Sequence, residues 1–159
     1  EAASPPSAGT GVLTRRMAIS DATTKYSWEG LTFVPPADLN DQSVLQFVGD
    51  PPAYNLVVTR ESLGGAALPV FLQARVRELS TLFPSFALLE QSERKLGPHN
   101  CSIIRQSVTT PDGVQVEQIQ AYVEIKGEAS IFTATTPATD PDWAKKTIDA
   151  VLDSLIVEE

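Results

Sequence analysis

The chain reads as an α+β domain, a mostly antiparallel sheet backed by two helices. Three observations predict it. From residue 26 onward, short runs rich in β-branched and aromatic residues are closed by Pro or Gly pairs, the mark of strands and turns. One mid-chain segment and one terminal segment switch to a helical period. Between these two lie four longer strand-like runs divided by turn signals. About seven strands and two helices are most simply layered as a sheet with helices packed on it.

Glu1 to Thr24 is rich in Ala, Ser, Pro, Gly and Thr and has no apolar period. It reads as a flexible arm or an expression remnant, with Met17 after Arg15–Arg16 as a candidate native start. Residues 25–159 then form a single domain. Tyr26 to Val34 is a first strand ending at Pro35–Pro36, which cannot continue a ladder. Gln42 to Val48 is a second, closed by Gly49 to Pro52, and Asn55 to Arg60 a third, closed by Gly64–Gly65. These three suggest an antiparallel meander.

Leu68 to Phe83 is helical, with Leu72, Val76, Leu79 and Phe83 on one face. Pro69 suits the first turn and Pro84 stops the segment. Phe86–Leu96, Asn100–Thr109, Val114–Lys126 and Ala129–Thr136 follow as strands. Thr110-Pro-Asp-Gly113 and Lys126-Gly127-Glu128 are turns. Asp140-Pro141-Asp142 opens the last helix with an acidic cap, a proline at the first position and a second acid in the first turn. Its expected buried stripe is Ala144, Ile148, Val151 and Leu155.

Composition narrows the function. Twelve basic residues against twenty acidic ones give a net charge of −8, and the pI is about 4.6. A chain so acidic is a poor partner for nucleic acid, whose binding draws on basic patches and counterion release. No apolar run approaches the ~18 residues that span a bilayer, so the domain is not membrane-embedded. One Cys excludes an internal disulfide, and one Cys with one His gives too few soft ligands for a Cys/His zinc site. The default compartment is the cytoplasm, and no metal or cofactor is expected.

No nucleophile elbow, phosphate-binding loop or His-Glu-x-x-His motif is present. His99 and Cys101 share a strand face, but an activated thiolate usually takes its His from elsewhere in the fold and adds an orienting group. Cys101 among Ser102, Ile103 and Ile104 reads as buried packing. Asp38 and Asp41, in a Pro-flanked loop, read as solvated or capping groups, and the acids of the last twenty residues as a solvated helix face. No catalytic residue is assigned.

The informative feature lies on the strands. In Val114 to Lys126, Ile119, Ala121, Val123 and Ile125 form a clean core face. The opposite face mixes Val114 and Val116 with Gln118, Gln120 and Tyr122. Val44 with Gln46, and Val57 with Thr59, repeat the mixture at i and i+2. One reading is an ordinary solvent-facing strand surface. The other is a groove that binds an apolar peptide and satisfies its polar groups.

In order along the chain stand Tyr26 to Val34 before Pro, Asn40-Asp-Gln-Ser-Val44, Asn55-Leu-Val-Val-Thr-Arg-Glu61, an amphipathic helix from Leu68, and Gln118-Ile-Gln-Ala-Tyr-Val123. This series resembles the Eag-type chaperones of bacterial type VI secretion, which have the Mog1/PsbP-like fold, over about residues 25–156. The resemblance implies a small cytoplasmic homodimer. Its role is that of an adaptor-chaperone that shields the N-terminal transmembrane segments of a PAAR- or Rhs-type effector before export. Amide and hydroxyl side chains then stand in for the interhelical hydrogen bonds of the membrane. Matched by position, the implied groove residues are Val44, Thr59 and Gln120, joined by Gln46, Val57, Gln118 and Tyr122 on the same mixed faces. Members of that family often place a Gln inside the first helix, whereas here the nearest candidates are Gln73 and Arg75. The same fold also serves periplasmic or surface-anchored DcrB-like and PsbP-like proteins with binding or structural roles, which is the alternative.

Overall fold

The structure is a computed structural model that describes residues 26–28, 31–33, 44–49 and 53–158. The expected arm over residues 1–24, the Asp38–Asp41 pair and the start of the second expected strand lie outside the described residues. The chain divides into two compact units, Glu1–Asp41 and Gln42–Glu159.

In the first unit, β1 (Tyr26–Trp28) pairs antiparallel with β2 (Leu31–Phe33), Tyr26 opposite Phe33 and Trp28 opposite Leu31. The expected single strand is therefore two. In sequence Gly30 falls between the two runs, and a glycine inside a strand pattern weakens it because it has no side chain to pack.

The second unit is a six-stranded antiparallel sheet with two helices. Its strands are β3 (Leu45–Val48), β4 (Asn55–Ser62), β5 (Ala87–Leu96), β6 (His99–Thr109), β7 (Gln115–Ile125) and β8 (Glu128–Pro137). They lie in the order β3-β4-β8-β7-β6-β5. The expected three-run meander is corrected here: β3 and β4 do pair, but the first run pairs with itself as β1-β2 in a separate sheet, and the other edge of β4 is taken by β8. Tight turns link the last four strands. At Lys126 and Gly127 both φ values are positive, 50° and 77°, the geometry that a two-residue hairpin needs.

The helices cover opposite faces of the sheet. α2 (Pro141–Ser154) buries Ala144, Ile148 and Leu152 against Cys101, Ile119, Ala121, Val123 and Ala134. Leu152 replaces the expected Val151, which is half-buried, because positions 144, 148 and 152 stay in one i, i+4 row. Asp140 occupies the N-cap position as expected, but its carboxylate makes no cap. It accepts the Tyr54 hydroxyl at 3.0 Å instead, and the Tyr54 ring stands edge-on to Trp143 at 5.2 Å.

α1 (Leu68–Leu82) packs on the other face through Leu68 and Leu72, against Leu63, Ile104, Tyr122, Ala129 and Ile131. Phe71 and Val76 sit at the margin of this cluster. Phe83, expected on the buried stripe, is 43% exposed and lies past the helix end with extended φ and ψ of −121° and 100°. The ring of Pro84 excludes the helical conformation from the residue before it.

Candidate binding face

Antiparallel register fixes which residues share the α1 side of the sheet. Directly opposed residues point the same way, and successive residues alternate. Gln46 stands opposite Val57, Val57 opposite Thr133, Thr133 opposite Gln120, Gln120 opposite Ile104, and Ile104 opposite Gln91. A second row runs Thr59, Ile131, Tyr122, Ser102 and Glu93. A third crosses all six strands as Val48, Asn55, Thr135, Gln118, Gln106 and Leu88. Five inter-strand steps of ~4.8 Å give each six-strand row a span of ~24 Å.

Six of the seven candidate residues, Gln46, Val57, Thr59, Gln118, Gln120 and Tyr122, are thus brought to one face, in three adjacent rows. The seventh, Val44, precedes β3 and is 52% exposed, without a pairing partner of its own. Exposure grades across the face. Gln46 is exposed, and Val57, Thr59, Gln118 and Gln120 are half-buried. Tyr122 is 1% exposed, so this candidate is not a surface group. α1 covers it, with the Phe71 ring edge-on at 6.4 Å. Burial pushes the Tyr122 hydroxyl up to about 12.

Two hydrogen-bond ladders lie on this face. The Tyr122 hydroxyl donates to Gln120 Oε1 at 2.6 Å, and Gln120 Nε2 donates to Thr133 Oγ1 at 3.1 Å. Gln106 Nε2 donates to Gln118 Oε1 at 2.9 Å, and Gln118 Nε2 donates to Thr135 Oγ1 at 3.2 Å. Gln106 is 2% exposed, and its Oε1 is buried with no partner among the described residues. The glutamines are therefore oriented by their neighbours, and each ladder ends on a threonine hydroxyl nearer the open part of the face.

Gln106, Thr133 and Thr135 belong to this network and escaped the sequence reading. The threonines carried a readable signal, since residues 133 and 135 stand at i and i+2 on either side of Ala134, the alternation of a two-faced strand. Gln106 carried none, because a polar residue after Arg105 looks like a solvated strand end. Arg75, on α1, ion-pairs with Glu61 of β4 and lies 5.7 Å from the Phe71 ring centre, which ties the helix to the sheet beside the face.

The thiol of Cys101 does not contribute to any such site. It is 1% exposed in the α2-side core, and burial pushes its pKa up to about 11, which disfavours the reactive thiolate. On the same side of the sheet Arg105 grips Glu117 through two bonds of 3.0 and 3.2 Å beside a cleft of about 200 Å³ under α2. Among the described residues no helix is long and apolar enough to cross a membrane, and no three His, Cys, Asp or Glu side chains gather as a metal-ligand set.

A six-stranded antiparallel sheet with helices on both faces and this strand order defines the PsbP-like class of α+β folds. The solved structure of PA94 from Pseudomonas aeruginosa matches with a TM-score of 0.73 at 19% identity, over 87% of this chain and 99% of that one. Cyanobacterial PsbP (CyanoP) from Synechocystis sp. PCC 6803 matches with a TM-score of 0.55 at 16% identity, over 92% and 99%. No curated protein matches the chain in sequence. Residues 29–154 match the DcrB family, and the chain belongs to that family. Family and fold together support a binding or structural protein.

Proposed function

We propose that this chain is a cytoplasmic adaptor-chaperone whose α1-side sheet face holds an apolar helical segment in water until it is exported. The guest is the N-terminal transmembrane region of a PAAR-containing type VI secretion effector. The observation that carries the reading is the convergence of Gln46, Val57, Thr59, Gln118 and Gln120 into adjacent rows on one partly open face. A transmembrane helix presents ~30 Å of apolar surface that aggregates in water. A row of ~24 Å matches about 16 residues of such a helix at 1.5 Å per residue. Val48 and Val57 supply apolar contact, while the glutamine and threonine groups meet the hydroxyls and small polar residues by which membrane helices recognise one another. On the opposite face α2 covers the apolar cluster of Ala121, Val123 and Ala134.

The test is co-expression with the apolar N-terminal region of a PAAR-type effector encoded at the same locus. Retention of that fragment in the soluble fraction, co-eluting with this chain, is the expected result. Val57→Glu and Gln46→Glu should each abolish retention, whereas Lys146→Glu, on the exposed side of α2, should not. A fragment that still aggregates beside a folded partner refutes the chaperone reading. Retention indifferent to Val57→Glu and Gln46→Glu removes this face from it.

A further inference from the structure

α2 lies mainly over β7 and β8, and the cleft of about 200 Å³ opens between it and the outer strands β5 and β6. Ile103 and Ile119 of the sheet and Ile148 of α2 give it an apolar lining. Its charged groups are Glu90 of β5, Arg105 of β6, and Asp142, Lys145 and Asp149 of α2. Both cations are already committed. Arg105 donates twice to Glu117, and Lys145 donates to Asp149 at 3.0 Å. Glu90 and Asp142 take part in no ion pair among the described residues. The hydrogen bond to Glu117 raises the Arg105 pKa and that to Asp149 raises the Lys145 pKa, and the charges of Glu90 and Asp142 raise both further. Two carboxylates are thus left over. The N-terminus of α2 offsets about half a charge, so the cleft stays negative.

We propose that this cleft binds a small primary amine with a compact apolar body. Glu90 and Asp142 hold the ammonium, and the isoleucines receive the body. Glu90 and Ser92 stand at i and i+2 on one wall, and Asp142 stands on the other. Two carboxylates and a hydroxyl match the three donors of an ammonium, whereas the planar fork of a guanidinium suits one carboxylate gripped twice. Size points to a small guest, since a cavity of ~150 Å³ lined by apolar side chains is enough for benzene. The chain's net charge of −8 disfavours an organic acid of the same size. The cleft lies on the α2 side of the sheet, so the inference does not depend on what the α1-side face holds.

The test is a titration of the whole chain with cyclohexylamine at neutral pH, followed by amide proton–nitrogen correlation spectra. Cyclohexylamine should give saturable shifts centred on Ser92, Ile103 and Lys145. Cyclohexanol, methylamine and cyclohexanecarboxylate, which lack the charge, the body and the right sign in turn, should each bind more weakly. Glu90→Gln and Asp142→Asn should each raise the dissociation constant about fivefold, the size of one exposed charge pair. Ser92→Phe, at an exposed strand position, fills the cleft without removing a charge and should abolish binding while the rest of the spectrum keeps its dispersion. Absence of saturable shifts in the wild type overturns the proposal. So does cyclohexanol or the carboxylate binding as tightly as the amine, or affinity unchanged in both Glu90→Gln and Asp142→Asn.

Discussion

Replacing Gln106 by Met should stabilise the protein, although it deletes a hydrogen bond. Gln106 is 2% exposed and makes one side-chain bond, Nε2 to Gln118 Oε1 at 2.9 Å, while its own Oε1 is buried and unpaired. Losing an ordinary hydrogen bond costs about 1 kcal/mol, and removing an unsatisfied buried acceptor recovers roughly 1–3 kcal/mol. Gln118 is half-buried, so water reaches the acceptor that Gln106 leaves behind. Met is close in volume and unbranched, so packing strain is small. The net expectation is a gain of about 1 kcal/mol, read as a shift in the urea midpoint at unchanged slope. Gln118→Leu makes the complementary perturbation. It strips Gln106 of its one side-chain partner among the described residues while leaving it buried, and should cost about 2 kcal/mol. Adding Gln106→Met to Gln118→Leu should then recover most of that loss, a non-additivity expected of groups in one network. A Gln106→Met protein destabilised by more than about 1 kcal/mol, or a double variant no better than Gln118→Leu, refutes the account of this ladder.

Two further outcomes follow from the buried titratable groups. The Tyr122 hydroxyl sits at about 12 in the fold against an ordinary value of 10, so the folded state resists its ionisation. The associated stability is fully present below pH 10 and is lost as pH rises from 10 through 12. Two pH units correspond to roughly 2–3 kcal/mol, and denaturation midpoints across that window should fall in the wild type and flatten in Tyr122→Phe. Cys101, 1% exposed with its thiol at about 11, should resist a thiol-reactive dye in the native state and react stoichiometrically in denaturant. Fast native labelling would contradict that placement.

The fold class was legible because its signals are local. The helix at 141–154 opens with Asp-Pro-Asp, and the turns at 110–113 and 126–127 carry their own glycine chemistry. Where prediction failed, a nonlocal or geometric cause decided the outcome. Asp140 gave up its capping role to the Tyr54 hydroxyl, a partner 86 residues away. β4 found β8 across 70 residues, which no turn signal announces. The mixed faces at Val57–Thr59 and Gln118–Tyr122 could each be read as alternations. That they share one surface depends on β8 lying between β4 and β7, and that order is set by packing. For the same reason Tyr122 looked exposable in sequence and is covered by α1.

The two faces of this sheet are built on different terms, and the difference bears on how a guest is held. Under α2 the strands present Ala121, Val123 and Ala134, side chains without hydrogen-bonding groups, and the helix covers them. On the α1 side, half-buried amides satisfy one another and end on Thr133 and Thr135. Each such bond contributes only about 1 kcal/mol net, so exchanging one for a bond to a guest hydroxyl is close to neutral in free energy. The ladders then add little affinity. They hold Gln118 and Gln120 in fixed orientations before binding, so less side-chain entropy is lost when a guest arrives. Affinity must come from the accessible apolar members of the rows, Val48 and Val57, and discrimination from where the oriented amides stand. A guest lacking polar groups opposite them leaves those amides dry on one side but still paired internally. Tolerance for many apolar sequences, with a graded preference for helices carrying Ser, Thr or Gly at the matching spacing, is what this arrangement favours.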